Sequence, residues 1–110
     1  MTNILFVCHG NIYRSPMAEM ILKDMVRKAG REGEFSVVSR AATREEIGHD
    51  MYPPAQRALS RHGVSFLPRK AALISAEDYD RADYVIAMDE ENLEDLDFLT
   101  HHDPEGKVSL

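Results

Sequence analysis

Hydrophobic side chains near the start of the chain change from a continuous run to a helical spacing. Residues 3–8 include four consecutive apolar residues, a pattern typical of a strand buried on both faces of a parallel sheet. A glycine-containing segment, residues 9–14, follows. Beyond it, apolar residues recur every four positions and predict one face of a helix over 17–29: Met17, Ile21 and Met25.

The ends of this predicted helix carry suitable boundary residues. Ser15 is a preferred N-cap, and Pro16 fits the first helical position, where its missing N–H costs nothing. Gly30 is placed to end the helix. The sequence therefore predicts a strand, a short loop and a helix within its first thirty residues.

The remaining sequence repeats the alternation of strands and helices. The predicted elements are strands at 35–39, 84–88 and 107–110 and helices at 55–62, 77–81 and, behind an Asp89 N-cap, 90–98. Such alternation implies right-handed βαβ units and a parallel sheet. Ligands of such sheets bind at the carboxyl ends of the strands, which is where residues 9–14 lie.

Composition narrows the class of protein. A chain of 110 residues suits a single domain, and 44% hydrophobic with 29% charged residues is ordinary for a soluble globular protein. The net charge of −6 argues against a nucleic-acid binder. Neither a secretory leader nor a membrane span is apparent, so we expect a cytoplasmic protein without membrane association.

Cys8 is the only cysteine, which excludes an internal disulfide and a zinc site of paired cysteines. A reducing compartment is the plain interpretation. The five histidines show no His-x-x-x-His spacing, and we expect neither a metal nor a cofactor.

The segment after Cys8 has the chemistry of a phosphate-binding loop. Backbone N–H groups in a loop that enters a helix N-terminus can converge on a phosphate dianion. Gly10 permits backbone conformations that other residues resist, and Asn11 tolerates a left-handed one. Arg14 offers a planar fork for two phosphate oxygens. The predicted phosphate-binding residues are His9, Gly10, Asn11, Ile12, Tyr13 and Arg14.

The same donors act on Cys8. Inward N–H groups, a helix N-terminus and Arg14 all favour the thiolate, which could attack phosphorus in line and take the phosphoryl group. The Ser15 hydroxyl is near enough in sequence to donate to the sulfur. A lone cysteine after a strand is more often an inert buried residue, but the combined features favour a nucleophile.

Residues 7–19 closely resemble the signature of the low-molecular-weight protein tyrosine phosphatases. Other blocks that resemble this family are residues 38–48, 52–55, 62–64 and 83–93. The likeness covers essentially the whole chain. It implies a small three-layer α/β/α sandwich with a four-stranded parallel sheet and the phosphate-binding loop after the first strand.

The resemblance also implies a reaction and the residues that perform it. Phosphotyrosine in proteins would be hydrolysed without metal through a cysteinyl-phosphate on Cys8, with Arg14 as the phosphate clamp. Ser15 would tune the thiolate, while Asn11 and Ser39 would hold the loop in shape. The implied partners are a phosphotyrosine protein or a small aryl phosphate, with inorganic phosphate or sulfate as loop ligands.

The resemblance assigns weaker roles at the edge of the site. Glu46 and the residues near His49 would belong to the wall of the substrate crevice. Asp89 matches a family position near the active site and is a candidate for structural support.

Two loop positions depart from the family pattern. Tyr13 stands where members usually have a second cysteine, so Cys8 would lack a protective disulfide and could over-oxidise. Arg69 stands about where many members have a histidine that buttresses the loop asparagine. The family pattern therefore does not predict how Asn11 is supported.

The largest departure concerns the general acid. The family's acid is an Asp in an Asp-Pro-aromatic motif beyond the fourth strand, whereas Asp103-Pro104 precedes the fourth strand and is followed by Glu105-Gly106. Asp103 is therefore expected to be a turn residue. Residues 1–110 resemble a single family domain that is incomplete at its C-terminus. An uncovered sheet face would follow, and a homodimer could cover it.

A loop of this type is also compatible with other functions. A weakly active or non-catalytic phosphate- or phosphotyrosine-binding module is the main alternative, because the general acid is not identified. Arsenate reduction needs further cysteines, and a phosphoarginine-specific relative would be expected to carry Thr at Ile12. A phosphocysteine carrier would not need Arg14.

Overall fold

Four strands and four helices alternate along the chain, and the computed structural model describes all residues, 1–110. The strands are β1 (Thr2–Cys8), β2 (Phe35–Ala41), β3 (Tyr84–Ala87) and β4 (Val108–Ser109). The helices are α1 (Arg14–Lys28), α2 (Pro53–Arg61), α3 (Ala76–Arg81) and α4 (Glu90–Leu99). All strand pairs are parallel, in the order β2-β1-β3-β4, which confirms the predicted four-stranded parallel sheet.

Helices cover both faces of the sheet, as parallel sheets require. On one face, Leu5, Val7 and Val85 are almost completely buried against Tyr79 of α3 and Leu96 of α4. On the other face, α1 packs on β1 and β2. Met20 of α1 lies in a second buried cluster together with Met51 and with Ala55 and Leu59 of α2. The result is the three-layer arrangement implied by the resemblance.

The strand order creates a crevice at one edge of the sheet. The chain passes from β2 across β1 to reach β3, so the connections after β1 and β3 diverge at the carboxyl ends of these neighbouring strands. Cys8 ends β1, and Asp89 lies two residues beyond the end of β3. No helix of the structure has the length and apolar character needed to span a membrane.

The start of α1 differs from the prediction. The helix begins at Arg14 and its N-cap is Tyr13, which makes no side-chain capping bond. The prediction of Ser15 as N-cap is therefore wrong, and Pro16 occupies the third helical position. The Ser15 hydroxyl is used elsewhere, between Cys8 and Asn11.

Other predicted boundaries agree with the structure. Gly30 follows the C-cap of α1 with φ +71°, a left-handed conformation that glycine adopts without penalty. Asp89 caps α4 by accepting a hydrogen bond from the N–H of Asn92, and Ser75 opens α3 with a reciprocal capping box. Residues 66–74, to which the pattern assigned no element, contain only an isolated bridge from Leu73 to Ala41.

Candidate active site

Cys8 lies at the base of the loop and is 3% exposed. The N–H of Asn11 donates to its Sγ at 3.3 Å, and Ser15 Oγ lies 3.0 Å from the same sulfur. The sulfur thus contacts one backbone donor of the loop and one hydroxyl of the first turn of α1.

The loop leaves several backbone donors unpaired. The N–H groups of Gly10, Ile12 and Tyr13 reach no acceptor within the protein, and neither does the N–H of Arg14. No side chain caps the first turn of α1. A buried or half-buried N–H without an acceptor is costly, and an anion above Cys8 is the group that would satisfy such a set.

The two loop residues credited with conformational freedom act differently from each other. Asn11 adopts the left-handed conformation, with φ 59°. Gly10 is not in that region, and a Cβ there would make a tight contact, 3.1 Å, with Cγ of Glu46. The close approach of Glu46 therefore favours a residue without a side chain at this position.

Arg14 stands at the open edge of the loop. Its Nη1 donates to Asp89 Oδ2 at 2.6 Å, while Nε and Nη2 reach no protein acceptor. The hydrogen bond from Arg14 lowers the pKa of Asp89, and the N–H of Asn92 lowers it further. Asp89 thus orients the guanidinium across the crevice between β1 and β3 and leaves its other donors free for an oxyanion.

Beneath the loop lies a buried polar network. Asn11 is fully buried, and its Nδ2 donates to Ser15 Oγ at 2.8 Å and to Ser39 Oγ at 2.9 Å. Ser39 in turn donates to Glu19 Oε1 at 2.6 Å, and Lys23 pairs with the second Glu19 oxygen at 2.6 Å. The structure places Ser15, Asn11 and Ser39 together, and it adds Glu19.

Arg69 provides the support for Asn11 that the family pattern did not predict. Its Nη2 donates to Asn11 Oδ1, and the N–H of Ala72 donates to the same oxygen at 3.2 Å. All four hydrogen-bonding positions of the Asn11 side chain are thereby used. Arg69, which lies in the irregular segment 66–74, thus supports the Asn11 side chain.

The wall of the crevice is exposed and charged. The rings of Tyr13 and Tyr52 lie 5.5 Å apart, centroid to centroid. Glu46 Oε2 lies 2.6 Å from His49 Nδ1, and Glu45 Oε2 lies 2.9 Å from His9 Nε2. Glu46 and His49 therefore meet close to Gly10, and their role in the wall of a substrate crevice stays a prediction.

One group of side chains has the composition of a metal site. Ligand atoms of His9, Glu91 and Asp95 lie within 4.8 Å of one another. These residues come from two distant segments, so no sequence spacing could reveal them. Glu91 is exposed, and His9 already pairs with Glu45. The expectation of no metal stays a prediction.

Asp103 is part of a turn. Its carboxylate accepts hydrogen bonds from the Tyr79 hydroxyl at 2.6 Å and from the N–H groups of Lys107 and Val108 at 2.9 and 3.0 Å. Burial raises the pKa of Asp103, but these hydrogen bonds outweigh it and lower the pKa overall. Asp103 therefore joins α3 to the start of β4.

Two site residues escaped the sequence analysis as functional candidates. Glu19 lies one helical turn after Ser15 on the same face of α1, and this i, i+4 spacing was the available signal. The sequence indicated Arg69 only as a difference from the family pattern, because no local signal shows that residues 66–74 contact the loop.

Fold and site together define an α/β protein in which a loop after the first strand, with unpaired backbone N–H groups, surrounds a buried cysteine. The family model described as low molecular weight phosphotyrosine protein phosphatase matches residues 3–110. The chain belongs to this family.

Proteins of similar sequence carry the name of the same family. The chain is 44% identical over 96 residues to the low molecular weight protein-tyrosine-phosphatase YfkJ of Bacillus subtilis, covering 87% of this chain and 62% of that protein. It is 38% identical over 94 residues to the human low molecular weight phosphotyrosine protein phosphatase, covering 86% and 59%. The chain thus spans about three fifths of the length of these curated relatives.

Solved structures show the same fold. The crystal structure of YfkJ superposes with a TM-score of 0.94 at 38% identity, covering 99% of this chain and 69% of that one. The Drosophila arginine phosphatase DARP superposes with a TM-score of 0.89 at 34% identity, covering 100% and 70%.

Proposed function

We propose that this protein hydrolyses phosphotyrosine, in proteins or as small aryl phosphates, through a cysteinyl-phosphate on Cys8. The observation that carries the proposal is the loop itself. Backbone donors without protein acceptors surround a buried sulfur, and Arg14 offers unpaired donors beside it. The family membership and the names of the relatives support the same substrate class.

The reaction follows from this arrangement in two steps. The Cys8 thiolate attacks phosphorus opposite the ester oxygen, an S–P bond forms, and the P–O bond breaks as the phenolate leaves with its electron pair. Loop N–H groups and Arg14 stabilise the equatorial oxygens. Water then attacks phosphorus, the S–P bond breaks, and inorganic phosphate and the thiolate are released.

The Ser15 hydroxyl fits both steps. At 3.0 Å from the sulfur it can donate to the thiolate before attack and again when the thiolate leaves phosphorus. No protein cofactor or metal is required by this scheme. A free thiol is required, which fits the predicted reducing cytoplasm.

The second candidate function is that of a weakly active or non-catalytic phosphate- or phosphotyrosine-binding module. The observation that favours it is the engagement of Asp103 in its turn, which leaves the leaving-group acid unassigned among the described residues. General acid catalysis contributes about 10²–10⁴-fold. Phosphoarginine, the substrate class named for DARP, is less favoured because Ile12 occupies the discriminating position.

A burst experiment separates enzyme from binding module. The parent is mixed with 2,4-dinitrophenyl phosphate, whose leaving group needs no protonation, and dinitrophenolate release is followed by stopped flow. We expect a burst that approaches one equivalent per chain and a phosphorylated Cys8 in acid-quenched samples. Cys8→Ser is expected to bind phosphate but to show no burst. A parent that binds phosphate without any burst contradicts the enzyme proposal.

The remaining partner predictions are tested separately. We propose that inorganic phosphate or sulfate binds the loop, which titration calorimetry with Cys8→Ser would measure. A homodimer stays a prediction; exposed apolar side chains such as Phe98 and Leu99 offer one surface for it. Light scattering that shows only monomers would contradict it.

A further inference from the structure

Two helices on the same face of the sheet, α1 and α2, both begin at a tyrosine. Tyr13 is the N-cap of α1 and Tyr52 is the N-cap of α2, and neither side chain makes a capping hydrogen bond. Serine, threonine, aspartate or asparagine would provide that bond, so each tyrosine forgoes a local gain in stability. Residues that break a local rule without a compensating contact are typical of functional surfaces.

The rings of these two tyrosines form a pair at the rim of the loop. Their centroids lie 5.5 Å apart with 36° between the ring planes, and 49% of Tyr13 and 43% of Tyr52 is exposed. Neither hydroxyl has a hydrogen-bond partner in the protein, whereas the hydroxyl of Tyr79 donates to Asp103. Exposed tyrosines are typical of binding surfaces, because each ring offers a large contact area at a low cost in conformational entropy.

Backbone hydrogen bonding shows on which side of the loop the pair lies. The N–H of Tyr52 donates to the carbonyl of Ile12 at 2.7 Å. That carbonyl belongs to the same peptide unit as the N–H of Tyr13, and in a trans peptide these two groups point in opposite directions. Tyr52 therefore lies on the outer side of the loop, and the unpaired N–H of Tyr13 points to the inner side. The rings stand beside the position of a bound phosphoryl group and not over it.

We propose that Tyr13 and Tyr52 form a subsite for an apolar side chain next to phosphotyrosine in a protein substrate. This inference rests on the proposed function, because the loop must hold the phosphoryl group before a neighbouring residue can reach the rings. Consecutive residues of a peptide lie about 3.8 Å apart, so the side chain of an adjacent residue lies beside the loop. A protein substrate can use this surface, and a small aryl phosphate cannot.

The rest of the rim differs from this pair in its chemistry. Glu46 pairs with His49, and Glu45 pairs with His9, so those parts of the rim carry polar and charged groups. The tyrosine rings present apolar faces, on which an aliphatic or aromatic side chain is removed from water. A basic side chain would be drawn to the carboxylates instead, so the charge of the neighbouring residue distinguishes the two surfaces.

Peptide binding to Cys8→Ser tests the proposal without turnover. Three phosphotyrosine peptides of equal length, with Leu, Ser or Lys at both positions that flank the phosphotyrosine, are compared by titration calorimetry. The Leu peptide is expected to bind about tenfold more tightly than the Ser peptide, the effect of partly burying a leucine side chain. Equal affinities for these two peptides, or tightest binding of the Lys peptide, would overturn the proposal.

Replacing a tyrosine assigns the preference to the pair. When Tyr52→Ser is added to Cys8→Ser, the preference for the Leu peptide is expected to be lost, whereas Tyr52→Phe keeps it. Serine retains the N–H that binds Ile12 and is a preferred N-cap, so this variant is expected to fold. The matched control is Tyr84→Ser, since Tyr84 is also exposed but begins β3 at the opposite edge of the sheet. A preference that survives Tyr52→Ser, or that is lost in Tyr84→Ser, contradicts the proposal.

Inorganic phosphate separates this inference from the proposed function. The peptides carry the same phosphoryl group, so the ratio of their dissociation constants does not depend on how tightly the loop holds phosphate. If Cys8→Ser binds neither phosphate nor any peptide, both proposals are wrong. If it binds phosphate and all three peptides equally, only the subsite is wrong. Should thermal unfolding show that Tyr52→Ser is not folded, Tyr13→Ser decides by the same ratio.

Discussion

The two sides of the loop that follows β1 differ in burial and in hydrogen bonding. The inner side, made of Asn11, Ser15, Ser39 and Glu19, is buried and its hydrogen bonds are complete. The outer rim, made of Tyr13, Arg14 and the N–H groups of Gly10 and Ile12, is half-buried or exposed, and apart from Arg14 Nη1, which donates to Asp89, its donors have no acceptor in the protein.

The inner side holds the loop in one conformation, whereas the outer rim carries the donors that a ligand would contact. A saturated buried network permits one arrangement, because any rotation of Asn11 would bury an unpaired polar atom. The donors at the rim have no acceptor in the protein and are therefore available to an oxyanion. The inner side therefore orders the loop before a ligand binds. The free-energy cost of ordering the loop is then not part of the binding free energy.

Arg14→Met should have the largest effect, because it removes the rim's side-chain donors and leaves the inner side intact. We expect the burst rate constant to fall about 10²–10³-fold, the usual loss when a transition-state oxyanion donor is removed. The melting temperature should change little, since exposed ion pairs contribute little to stability. A variant whose burst rate is unchanged would contradict the assignment of Arg14 as clamp.

Asn11→Gly should affect the inner side most. Glycine tolerates the φ of 59° at this position, so the variant isolates the loss of the carboxamide. Ser15, Ser39 and Arg69 would lose a partner, and we expect unfolding free energy to fall by about 2–4 kcal/mol in urea titrations. A loss below about 0.5 kcal/mol would show that the network is not needed to hold the loop.

Asp89→Asn should produce the smallest effect and one that depends on pH. Arg14 lowers the pKa of Asp89, so the carboxylate stabilises the folded state above its unfolded pKa. That contribution is lost as pH falls through the lower, folded pKa. Asparagine keeps a capping oxygen for α4 without charge, so parent and variant should differ in melting temperature near neutrality and converge in acid. Curves that remain parallel would contradict the ion pair.

Much of the fold was predictable because its signals are local. The apolar run of β1, the four-residue spacing of α1 and the capping residues Ser75 and Asp89 each lie within a few positions of the element they define. Gly30 likewise ends α1 where predicted. The parallel sheet followed from the order of elements, since alternating strands and helices permit few other topologies.

The predictions were wrong where a tertiary contact overrode the local preference of a residue. Ser15 is a good N-cap by type, yet its hydroxyl lies between Cys8 and Asn11 once the loop closes. Gly10 was expected to provide backbone freedom, whereas its φ is not left-handed and a Cβ there would crowd the side chain of Glu46, 36 positions away.

The sequence by itself determined the strand–loop–helix unit, with Cys8 at the end of the strand and Arg14 five intervening residues later at the start of the helix. Only the tertiary structure decided what holds that unit in shape. Ser39, Arg69 and Asp89 lie 28 to 75 positions away in sequence from the loop residues that they contact, which are Asn11 for the first two and Arg14 for Asp89. Contacts over such distances leave no periodic trace in a single sequence, because they depend on how the sheet brings separate strand ends together.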